Sequence, residues 1–185
     1  MNQIYYIFTI KTKIDSKFNI MASNERINVL IERQRSVLSA EDFWAGDTYS
    51  TKIDSLSEEE FFMRPIPELH TVAELLSHVM AWRRDSMGKI SGNRPNPLGM
   101  DSPENWIPNE ELRRRGWGHL KGEFYKSVDE LCELLSKRDD DFLSDRPQGE
   151  NRSFGFILNG LIDHDIYHLG QLGLLVKLIR SRDRE

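Results

Sequence analysis

Between Ser153 and Arg180 the apolar side chains recur at three- and four-residue intervals, at Ile157, Leu161, Leu172, Leu175 and Ile179. No proline interrupts the stretch. That period belongs to an α-helix, and a helix of this length runs about 40 Å. Its stripe must be covered by other elements, so this segment fixes the scale and the class of the fold. Two positions on the stripe, His164 and His168, are not apolar at all.

Three further segments share the period. Asn24 or Ser23 is placed to cap a helix carrying Ile27, Leu30, Ile31, Val37 and Leu38. Its pattern weakens at Gly46-Asp47-Thr48 and resumes at Ile53 and Leu56, as one bent helix or two pieces. The acidic run Glu58–Glu60 reads as a solvated turn. Thr71 and Glu74 then form a T-x-x-E capping box, with His70 and Leu75 spaced for a hydrophobic staple. Val72, Leu75, Leu76, Val79 and Trp82 continue that helix to about residue 90, where Gly92, Pro95 and Pro97 stop it. Residues 91–108 hold four Pro and two Gly and read as a long loop of the kind that covers binding sites. Leu120, Phe124, Val128, Leu131 and Leu135 mark the third long helix, weakened at its start by Gly116, Gly118 and Gly122. No alternating strand pattern stands out, so the expectation is an all-α bundle of four principal helices.

The chain has 185 residues with 25 basic and 30 acidic side chains, a net charge of −5, and this acidity disfavours a nucleic-acid partner. A lone cysteine, Cys132, excludes a disulfide framework and a thiolate zinc cage, and fits a cytoplasmic setting. No apolar run approaches the roughly 18 residues of a membrane span. Residues 1–20 lack the basic start and cleavage site of a secretory signal and are expected to be a poorly ordered leader. A single domain is expected over 21–185.

His164 and His168 lie one helical turn apart, and His78 lies on the stripe of the second long helix with Leu75, Val79 and Trp82. Three imidazoles therefore point into the bundle. Two readings fit. Each ring hydrogen-bonds separately to a main-chain or carboxylate acceptor, or the three share a divalent ion through a three-nitrogen face with positions left open. His70 and His119 read as ordinary residues. Asp165, Tyr167 and Gln171 are candidates for supporting or substrate-binding roles, whereas Cys132 reads as a small buried hydrophobe. Gly160, Gly170 and Gly173 in the last helix suggest close helix packing or a dimer contact.

The segment HTVAELLSHVMAWRR (70–84), followed by LIDHDIYHLGQLGLL (161–175), resembles the DinB-like superfamily. Its hallmark is a His on the second helix and an H-x-x-x-H-x-G-Q segment on the last, here His78 and then His164, His168, Gly170 and Gln171. Trp106 and Trp117 resemble its aromatic landmarks. The resemblance implies an up-down-down-up four-helix bundle, often dimeric, with Zn, Ni or a similar divalent metal on His78, His164 and His168. It also implies metal-dependent activity, either S-transfer with a low-molecular-weight thiol or hydrolysis, acting on a small-molecule substrate. The rivals are a non-catalytic metal- or ligand-binding bundle and a structural dimer whose core histidines are merely polar. No catalytic base is apparent.

Overall fold

A computed structural model describes residues 24–182, and the leader expected over residues 1–20 lies outside them. Among the described residues there are seven α-helices, one 3₁₀ turn and no strand. In chain order the helices are α1 (Glu25–Ser39), α2 (Tyr49–Ile53), α3 (Glu58–Phe62), α4 (Val72–Ser91), α5 (Asn109–Arg115), α6 (Trp117–Ser136) and α7 (Phe154–Arg182), with the 3₁₀ turn at Asp141–Ser144. None is long and apolar enough to cross a membrane.

The four long helices bury the expected stripes. α4 packs against α6 and α7, and α1 packs against the same two. Ile27, Leu30, Val37, Leu75, Leu76, Val79, Phe124, Val128, Leu131, Leu172 and Ile179 form one shared core. Cys132 is buried there, and burial pushes its thiol up.

Helix ends follow local chemistry with three departures. Thr71 Oγ1 accepts from Glu74 N while the Glu74 carboxylate accepts from Thr71 N, as the capping box requires. His70 does not staple onto Leu75; it stacks on Trp106. The acidic run Glu58–Glu60 is not a turn but the first turn of α3. Ser57 caps it, the carboxylates sit at the favourable helix end, and Phe61 and Phe62 behind them are buried. Arg26 N and Ile27 N of α1 donate to the distant Asp140 carboxylate at 3.0 and 2.9 Å. The first helical stretch is two pieces, separated by residues 40–48, and Thr48 starts the second.

α5 is an element the apolar spacing does not reveal. Gly116, at φ +85°, divides it from α6, a left-handed bend that an L side chain would strain. Gly160 and Gly170 of α7 do not support tight packing within the protein, since a Cβ at either would meet nothing within 4 Å, whereas one at Gly155 would lie 3.0 Å from the Leu143 main-chain oxygen and one at Gly173 would touch the Lys52 side chain.

Candidate metal centre

α4 and α7 carry the three histidines to one point. His78 Nε2 lies 3.1 Å from His164 Nε2, and His168 Nε2 lies 3.1 Å from the same atom. His78 and His168 are buried and His164 is partly open to solvent. The structure thus brings together all three rings that the spacing singled out.

Their outer nitrogens explain the orientation. His78 Nδ1 lies 3.1 Å from the main-chain oxygen of Asn105. A carbonyl only accepts, so Nδ1 carries the proton and Nε2 of the neutral ring presents a lone pair. His168 Nδ1 likewise faces Gln171 Oε1 at 2.7 Å. Two lone pairs are therefore pinned toward a third Nε2. Burial lowers the basicity of His78, to a pKa of about 4, against the opposing pull of the Asn105 bond. Burial also lowers His168, and the neighbouring His164 adds to the effect. Neutral imidazoles with converging lone pairs are the state that a cation requires.

A divalent ion fits this donor set. His78, His164 and His168 would hold it, since each offers a ring nitrogen and these atoms all lie within 4.8 Å of one another. Of the two readings open in the sequence, separate main-chain or carboxylate acceptors serve only the outer nitrogens and leave the inner ones facing one another.

Behind His164 sits a buried ionic network. Asp165 is fully buried, and its Oδ2 accepts from Arg83 Nη2 at 2.7 Å and from Gln34 Nε2 at 2.5 Å. Arg83 also donates to Ser127 Oγ at 2.6 Å and lies over the Phe124 ring. Tyr49 OH donates to the Asp165 main-chain oxygen. Burial pushes the Asp165 carboxyl up, but the Arg83 charge and the hydrogen bonds outweigh it and hold the group ionised. Among the described residues the buried side-chain polar atoms without a partner are Gln34 Oε1, Arg83 Nε, His164 Nδ1 and Asp165 Oδ1, and all four residues belong to this cluster. His164 Nδ1 and Asp165 Oδ1 are 3.8 Å apart. A modest turn of the imidazole would give both a partner and fix the tautomer with Nε2 free.

Aromatic rings close the rest of the surroundings. Trp106, from the long loop, stacks on His78 with centroids 4.0 Å apart and on His70 at 3.7 Å. Trp82 donates its indole N–H to Asn105 Oδ1. Tyr167 stands exposed at the rim with its ring edge against His168. His119 lies on the outer face of α6. Asn105, Arg83 and Gln34 are the participants that the sequence reading missed.

A family model described as the DinB superfamily matches residues 44–172. The chain belongs to the DinB superfamily. Neither a curated protein nor a solved structure matches it. The matched span of this DinB protein includes His78, His164, His168 and Gln171 together with the loop that supplies Asn105 and Trp106.

Proposed function

We propose that this DinB-superfamily protein is a metal-dependent enzyme that binds Zn, Ni or a similar divalent ion through His78, His164 and His168. It would transfer a thiol to a small electrophile or hydrolyse one. The observation that carries the reading is the convergence of three Nε2 atoms, two with their lone pairs pinned inward by Asn105 and Gln171. A divalent ion there supplies Lewis acidity, which makes a thiolate or hydroxide available at neutral pH. The protein's share is to hold His78 and His168 neutral and all three rings oriented. Asn105 and Gln171 set two tautomers, Asp165 is placed to set the third, and Trp106 covers the His78 ring. Tyr167 and the groove beside His164 stand where a substrate would approach.

The rest of the proposal concerns architecture and assembly. Arg83 of α4 reaches Phe124 and Ser127 of α6, and Arg138 beyond α6 reaches Ile90, so numbering rises together along α4 and α6. Along α4 and α7 it runs oppositely, from His78 beside His164 to Lys89 beside Ile157. α1 follows α7, as Gln34 meets Asp165 and Arg26 shares a cavity with Ser153. These contacts support the up-down-down-up four-helix bundle. A homodimer in a reducing cytoplasm completes the proposal. α7 leaves Phe156, Tyr167 and Leu174 more than half exposed on one face, which supports pairing between copies.

One observation favours a non-catalytic binder instead. Asp165, the carboxylate beside the rings, is fully buried and ion-paired, so it is not free to take a proton from a substrate.

Elemental analysis of untagged protein tests the centre. About one divalent ion per chain is expected, and His168→Ala should abolish it. Unchanged stoichiometry in that variant would refute the ligand assignment. Thiol-transfer assays with a model electrophile and a panel of cellular thiols then separate enzyme from binder, because inactivity across the panel with metal retained selects the binder.

A further inference from the structure

Next to His164 the α4–α7 interface opens into a groove of about 250 Å³. Its wall is the Trp82 ring with the side chains of Ile157 and Leu161, and Ser86 and Lys89 lie at the far end. The polar groups along it are already engaged. The Trp82 N–H is given to Asn105, and the Ser86 hydroxyl is given to the Trp82 carbonyl at 2.9 Å. Lys89 Nζ lies 3.2 Å from both Asp85 and Glu150, and Arg94 contacts the same two carboxylates. Two cations face two anions there, so the far end carries no net charge with which to attract an ionic ligand.

Gly160 lines the same groove. It sits well inside α7, where glycine costs about 1 kcal/mol relative to alanine. No positive φ requires it, and a Cβ there would meet nothing within 4 Å. Neither backbone geometry nor packing within the protein accounts for this glycine. Its missing side chain leaves the groove beside His164 open, as an alanine would.

We propose that this groove binds a neutral, largely apolar small molecule of about ten non-hydrogen atoms beside His164, and that a small residue at position 160 keeps the groove open. The proposal deepens the metal-enzyme reading, because it places the substrate body against the proposed ligand His164. It names a class by its chemistry: a compact aromatic or alkyl body without a formal charge.

Benzyl alcohol is a suitable probe, with sodium benzoate as its charged counterpart. The full chain, loaded with zinc, is titrated while the Trp82 indole N–H resonance is followed, assigned through Trp82→Phe. A saturable shift is expected with benzyl alcohol, retained in Gly160→Ala and weakened at least about tenfold in Gly160→Leu. Both substitutions raise helix propensity, so folding of the variants is expected to survive, and thermal melting checks it. Absence of the Trp82 shift in the native chain would overturn the proposal, as would equal affinity in Gly160→Leu or, in the zinc-free chain, a benzoate shift as strong as that of benzyl alcohol. Zinc content of the same samples is measured separately. A chain without zinc that still binds benzyl alcohol at Trp82 sinks the metal reading and leaves the groove standing.

Discussion

The Arg83–Asp165 pair offers the sharpest test of how the core supports the centre. Arg83 is 1% exposed and Asp165 is 0% exposed, so neither charge is shared with solvent. Asp165→Leu would leave the guanidinium facing only neutral acceptors, Ser127 Oγ and the Phe124 carbonyl. An uncompensated buried charge of this kind costs about 3–5 kcal/mol. At roughly 2–4 °C per kcal/mol for a domain of this size, the melting temperature should fall by about 6–20 °C. The double variant Arg83→Met/Asp165→Leu removes both charges together with their desolvation cost, and should recover most of the loss. It should fall short of the native chain by about 1–3 kcal/mol, because the buried Gln34 amide is left without its Asp165 acceptor. Metal affinity should not recover with it. The carboxylate placed to orient His164 is gone in both variants, and losing such a partner weakens metal binding by about 10–100-fold. Urea denaturation of the metal-free proteins and zinc titration with a competing chelator give the two readouts. A double variant as unstable as the single one would refute the desolvation argument. One that is stable and binds zinc as tightly as the native chain would refute the role of Asp165 toward His164.

Two further outcomes follow from other parts of the molecule. Burial pushes Asp85 up, but bonds from Arg94 and Leu98 N and the charge of Lys89 bring it below the usual carboxylate range. A depressed folded-state pKa means that this stabilisation is present above the unfolded value and is lost as pH falls through the folded one. Asp85→Asn should therefore cost about 1.5–3 kcal/mol at neutral pH and flatten the acid side of the stability profile, and urea midpoints measured across pH check both. If α7 pairs two copies, Leu174→Glu should convert a dimeric mass to a monomeric one by light scattering with the helical circular dichroism unchanged, and a persistent dimer mass would exclude that face.

The long helices were legible because burial imposes a period on their sequences. α3 and α5 were not, because helices of five and seven residues span too few turns to show one. The acidic start of α3 looked like solvent-exposed chain, although Ser57 and the helix end make those charges favourable. The three histidines stood out as polar residues on apolar stripes. The same rule, carried further, marks Gln34 after Leu30 and Ile31, Arg83 after Val79, and Asp165 after Leu161 and Ile162. All three are buried. One cation, one anion and one amide on the inner faces of three helices form a complementary set that becomes apparent only when the stripes are read together. Asp165 takes one of the fully buried positions on α7, and His164 sits to its side, which a stripe drawn through His164 obscures. The Asn105 contact could not be read from residue types, because the group that touches His78 is main chain.

That main-chain acceptor separates the chemistry of the site from the identity of the loop residue that supplies it. Replacing the Asn105 side chain cannot delete the oxygen that takes the His78 proton. A shift in the path of the backbone can. Drift in loop composition should therefore be better tolerated here than insertion or deletion, so a library that varies loop length would probe the imidazole's orientation more directly than an alanine scan of the same segment.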